Sequence, residues 1–278
     1  MRLSISNIAW PAGEDAAVAA LLARHGVGAV DVAPSKYFPV FSEAAPAEIA
    51  AVRAWWADRG VEIPGMQALL YGTEGLNLFA EAAVQAAMLE HLAHVCRIAE
   101  GLGARHLVFG SPRNRDRAGL EDAAALEVAV GFFRRLGEIA AGHGAVICLE
   151  PNPPVYGANF MTDLASTAAV VRAVDHAGIA MQLDLGAITI NGEDAGAALP
   201  GIADLIGHVH ASEPQLAVLG EAGVSIDRMR QYGHEDTTAP VLIVTHKCTR
   251  AALDDAIAAM GQTGVLASDP VVLRIEDV

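Results

Sequence analysis

"VICLEP", residues 146–151, is the stretch on which the reading of the fold turns. Three apolar residues and a cysteine run directly into Glu150, and Pro151 then ends the run. An ionised carboxylate is costly in a low-dielectric setting unless it is paired or bound to a metal. The stretch therefore reads as a core strand whose last residue opens into an active site. Its neighbours fit that reading. Upstream, "EDAAALEVAVGFFRRLGEIAAGHG" (121–144) is a helical stretch that stops at glycine. Downstream, Thr162 and Asp163 are placed to cap a helix over "LASTAAVVRAVDH", and "IAMQLDLG" (179–186) is the next strand.

Moving outward, the same alternation repeats. Strands are expected at "LSISNI" (3–8), "GAVDVAP" (28–34), "VEIPGMQALLYG" (61–72), "RHLVFGSP" (105–112) and "LIGHVHAS" (205–212). Helices are expected over 14–26, over 45–60 with Pro46 near the start and Gly60 past the end, and over 81–103. That makes seven strands by residue 212. Alternating strands and helices imply parallel strands joined by helical crossovers, and strands this apolar imply a sheet covered on both faces. A (β/α)8 TIM barrel fits best, with a doubly wound open sheet as the alternative. No G-x-G-x-x-G follows the first strand, which argues against a dinucleotide-binding half and a dehydrogenase.

Composition narrows the function classes. The chain has 278 residues and a formal net charge of −15. Charge of this sign repels nucleic acid phosphates, so no nucleic acid partner is expected. Cys96, Cys148 and Cys248 show no metal-type spacing and read as buried thiols in a reducing cytoplasm. The start of the chain lacks a signal-peptide core, and no apolar run is long enough to span a bilayer, so no membrane role is expected.

In a parallel barrel the side chains at the carboxyl ends of the strands converge on one face. Asn7, Asp31, Lys36, Gln67, Arg113, Glu150, Asn152, Asp184, His210 and Glu213 fall at or just after those ends. Glu150, Asp184 and His210 come from three consecutive strand ends and suit a divalent cation such as Mn2+, Mg2+ or Co2+. Without thiolates they do not resemble a structural zinc site. Taken singly, Glu150 also reads as a loop residue, Asp184 as a cap for the next turn and His210 as a hydrogen-bonded core histidine. His208 has the same side-chain direction as His210 and is a competing ligand. Asn7, Lys36, Gln67, Arg113, Asn152 and Glu213 are the candidate substrate contacts. Arg113, Arg115 and Arg117 also read as a solvated loop rather than an anion clamp, and the Trp55–Trp56 pair as helix packing.

"ICLEPNPPVYGANF", "MQLDLGAITING" and "IGHVHASEP" resemble the xylose isomerase-like TIM-barrel family. "ISNIAW", "GMQALLYG" and "LVFGSPRNRDR" resemble its bacterial sugar phosphate isomerase/epimerase branch, and the likeness covers about residues 1–215. It implies that Glu150, Asp184 and His210 are three of four ligands of one metal ion, the fourth being a Glu on strand eight. Many members carry a His three residues after the strand-six Asp, where this chain has Ala187. The implied reaction is isomerisation or epimerisation of a sugar or sugar phosphate by proton transfer next to a carbonyl. The metal would stabilise an enediolate, and two carboxylates, Glu150 among them, would move the proton.

After "HASEP" the pattern changes. Residues 216–278 resemble part of the ACT-type carboxyl-terminal domain of homoserine dehydrogenases, lacking its first strand. Two closures of the barrel follow. If "APVLIVTHK" (239–247) supplies strand eight, the favoured closure, His246 lies near the missing Glu as a candidate metal ligand and no second carboxylate base remains; His246 also reads as a helix-entry residue and Glu276 as a terminal surface residue. If "VVLRIEDV" (271–278) does so, Glu276 is the second catalytic carboxylate. An open barrel would leave unpaired edges that invite association, such as a homodimer. A catalytically impaired sugar- or metal-binding protein and an amino-acid-sensing module are the competing functions.

Overall fold

The computed structural model describes residues 3–214, the strand backbones 226–231 and 241–245, and residues 253–254 and 257–258. Seven parallel strands form one sheet in sequence order: β1 (Ile5–Ser6), β2 (Ala29–Val32), β3 (Glu62–Met66), β4 (His106–Phe109), β5 (Val146–Leu149), β6 (Ile179–Asp184) and β7 (Ile206–His210). Between them run α1 (Asp15–Arg24), α2 (Pro46–Ala57), α3 (Ala82–Leu102), α4 (Asp122–Gly142) and α5 (Leu164–Val174). Two more helices, α6 (Leu185–Asn191) and α7 (Ala195–Ile202), lie between β6 and β7. The sheet curls round on itself. Asp31 of β2 and His208 of β7 sit at opposite ends of the strand order, yet their side chains are 2.9 Å apart.

Local chemistry explains the element boundaries. The Pro46 ring starts α2, and the Glu48 carboxylate accepts from the Ala45 amide at 3.0 Å. Asp163 caps α5 by accepting from the Ser166 amide at 2.7 Å. Gly103 ends α3 at φ +84°, a left-handed conformation that favours glycine. The helices bury their apolar stripes against the outer face of the sheet. Trp56, Phe109, Phe132, Phe133 and Leu92 are among the fully buried residues of that core. The Trp55 and Trp56 rings meet edge to face at 4.8 Å, as expected of helix packing. Cys96 and Cys148 are buried free thiols whose acidity burial suppresses, to a pKa of about 12; Cys248 lies outside the described residues.

The expected closing strand pairs otherwise. Val241–Thr245, here β9, runs antiparallel to β8 (Ile226–Gln231) in a separate two-stranded sheet. Among the described residues the seven-stranded sheet has no eighth strand. The alternative closing segment, 271–278, lies outside the described residues, as do His246 and Glu276. No helix among the described residues is long and apolar enough to cross a membrane.

Candidate metal centre

Glu150 follows the last residue of β5, and its position is set from three sides. Its amide donates to the Phe109 carbonyl at 3.2 Å. The Arg115 guanidinium donates from Nη1 to its carbonyl oxygen at 2.7 Å. Its carboxylate lies across Gly110, where any Cβ would collide with Oε2. Asn152 donates to the Gly110 carbonyl at 2.8 Å and reaches Glu150 Oε2 at 3.4 Å.

Asp184 ends β6 and also caps α6. Its Oδ1 accepts from the Ala187 amide at 2.7 Å and from the Ser212 hydroxyl at 2.9 Å, which leaves Oδ2 for the cavity. His210 ends β7. A bulge at Gly207, where β6 and β7 slip out of register, turns His208 and His210 to the interior. A Cβ on Gly207 would lie 2.8 Å from Ala180 Cβ and 3.0 Å from Cys148 Sγ, so this close approach requires glycine.

The three functional ends meet. His210 Nδ1 is 3.1 Å from Glu150 Oε1 and 3.8 Å from Asp184 Oδ2. The three residues offer ligand atoms all within 4.8 Å of one another. Burial, followed by the Glu150 charge, pushes the Asp184 carboxyl above the usual carboxylate range. Burial alone would lower the His210 imidazole, but its hydrogen bond to Glu150 and the surrounding carboxylates outweigh that and raise it. Two half-buried carboxylates and an imidazole this close together form a cluster that a divalent cation would neutralise. The donor set, two carboxylates and one imidazole, fits such an ion.

The model of the xylose isomerase-like TIM barrel family matches residues 19–243. The chain belongs to that family. The match continues past residue 215, where the likeness quoted from the sequence stops. No curated protein matches the chain. Among solved structures, a D-psicose 3-epimerase obtained with D-fructose superposes with a TM-score of 0.66 at 19% identity, covering 80% of this chain and 76% of that one. An apo 3-keto-D-glucoside 4-epimerase from E. coli gives 0.61 at 16% identity, covering 77% and 79%. An L-ribulose 3-epimerase gives 0.60 at 20% identity, covering 94% and 78%. Identities this low establish a shared fold.

Within this family fold the other candidate residues separate. Gln67 and Arg113 line the cavity into which Glu150, Asp184 and His210 open, as does Glu213. Gln67 donates to the Ser6 hydroxyl. Asn7 is fully buried and accepts from the Ala33 amide at 2.7 Å, so it ties β1 to β2. Lys36 donates to the carbonyls of Asn7 and Trp10 and lies 5.2 Å from the Trp10 ring centre. Asn7 and Lys36 are thus engaged with the protein itself. The arginine loop is not solvated throughout. Arg113 is exposed and Arg117 pairs with Asp122, but Arg115 is completely buried behind Glu150. A 3-10 turn over Arg113–Arg115 swings it inward. Burial lowers its pKa to about 10, which leaves it charged at neutral pH.

Asp31, on β2, is a further buried carboxylate of the interior. Its Oδ2 lies 2.9 Å from His208 Nε2, and the His208 ring stacks on His106 with centroids 5.6 Å apart. Burial alone would raise the Asp31 carboxyl, but the His208 bond holds it low. Its signal in the sequence is one charge inside the apolar run "GAVDVAP".

Proposed function

We propose that this chain is a metal-dependent isomerase or epimerase of a sugar or sugar phosphate, acting by proton transfer next to a carbonyl. The observation that carries the reading is the convergence of Glu150 Oε1, Asp184 Oδ2 and His210 Nδ1 at one point of the cavity. These three residues would hold a divalent ion, with Mn2+, Mg2+ or Co2+ suited to the donor set. When bound, the ion supplies electrophilic stabilisation of the negative charge that develops on the substrate oxygens. Glu150 is the base that takes the proton from carbon, because Arg115, Gly110 and Asn152 fix it in place beside the cavity. Asp184, held through Oδ1, keeps Oδ2 free to serve as a ligand. Gln67, Arg113 and Glu213, which line the cavity, are the candidates to meet substrate hydroxyls or a phosphate, and Asn152 would act through Glu150. Glu276, the candidate second carboxylate of one closure, and His246, the candidate further ligand of the other, lie outside the described residues.

A second reading, a sugar-binding protein with impaired catalysis, is favoured by the pairing of β9 with β8 instead of with the barrel sheet. One experiment separates the two. Ketose epimerisation is followed with added Mn2+ for the wild type and for Glu150→Gln. Turnover that is lost in the variant supports the enzyme; equal silence with sugar still bound supports the binding protein.

A further inference from the structure

Below the Glu150–Asp184–His210 cluster the barrel interior holds a second polar group. A TIM barrel interior is ordinarily filled with branched apolar side chains. Here Asp31, His208 and His210 offer ligand atoms all within 4.8 Å of one another. Asp31 is only 5% exposed. His210 turns Nδ1 to Glu150, and its Nε2 is buried with no hydrogen-bond partner. Gln182 is fully buried, and neither its amide oxygen nor its amide nitrogen has a partner. It lies opposite His208 in the β6–β7 pairing and two residues before Asp184, on the same face of the strand. Buried polar groups are rarely left unpaired, so this cluster is built to receive something.

We propose that Asp31, His208 and His210, with the Gln182 amide beside them, form a second cation seat that takes a zinc-class ion in competition with the Glu150 seat. The inference rests on the proposed function only through His210, the ligand common to both seats. The two donor sets differ. The upper seat has two carboxylates and one imidazole, which suits Mn2+ or Mg2+; the lower has two imidazoles and one carboxylate, which suits Zn2+. A neutral imidazole gives one nitrogen to a metal and keeps its proton on the other. Filling one seat through His210 therefore disfavours filling the other. A plain Asp31–His208 hydrogen bond is the competing explanation, and it leaves Gln182 and His210 Nε2 unaccounted for.

Calorimetric titration of the metal-free protein with Zn2+ and, separately, with Mn2+ tests this in the wild type, Asp31→Asn, His208→Gln and Asp184→Asn. Asp31→Asn and His208→Gln are expected to weaken Zn2+ binding by at least about tenfold and to leave Mn2+ binding unchanged. Asp184→Asn is expected to weaken Mn2+ more than Zn2+. The proposal is overturned if Asp31→Asn or His208→Gln leaves Zn2+ affinity as it was, or lowers both metals equally. Circular dichroism identifies a variant that does not fold, in which case the other decides. Loss of Mn2+ binding from every protein, wild type included, would sink the upper seat instead, and the Zn2+ results would still read the lower one.

Discussion

At the residue scale, the proposed turnover rests on Glu150. Glu150→Gln keeps the shape and removes the base; general acid–base catalysis contributes about 100- to 10,000-fold, and a loss of that order is expected in an epimerisation assay. Gly110→Ala acts on the same carboxylate indirectly. Its Cβ would occupy the space of Glu150 Oε2, so Mn2+ affinity by calorimetry should fall about 10- to 100-fold. Gly110 does not need a positive φ, so its melting temperature should change little. The pH dependence follows from the raised pKa values of Asp184 and His210, whose ordinary values are 3.8 and 6.5. A group raised in the folded state favours its protonated form there, and a metal must displace that proton. Affinity for Mn2+ should therefore weaken as pH falls, starting at higher pH than unperturbed groups would allow, and binding should release protons to the buffer.

At the scale of the elements, α4 packs the sheet through Phe133, whose ring meets Phe109 at 5.3 Å and Phe132 at 5.5 Å, both near perpendicular. Phe133→Ala leaves a cavity and is expected to lower unfolding free energy by about 3–5 kcal/mol in urea denaturation. Metal stoichiometry should not change, because α4 contributes no ligand. The order of strands and helices was legible from "LSISNI" to "LIGHVHAS" because apolar runs and amphipathic stretches alternate cleanly there. What escaped was α6 and α7: "LGAITINGEDAGAALPGI" is broken by glycines, and Pro200 sits inside α7. The convergence of Glu150, Asp184 and His210 was legible because each lies at or just after the end of its own strand. Arg115 was not, since three arginines in one loop look alike until a turn buries one of them. Which residues share a face of the interior, as His208 and Asp31 do, depends on the curl of the sheet, which periodicity does not encode.

At the scale of the whole molecule, a net charge of −15 and three inward-facing carboxylates make cation binding the natural complement of this fold. A ligand that binds only the folded state stabilises it by mass action, about 2.7 kcal/mol at a concentration of 100 times Kd. Mn2+ should raise the melting temperature of the wild type, EDTA should reverse the rise, and Asp184→Asn should show neither. The most direct measurement is anomalous scattering from a crystal soaked in Mn2+. The account expects one manganese peak at coordination distance from Glu150, Asp184 and His210 together. A crystal that binds no manganese there, or binds it away from those three side chains, contradicts it.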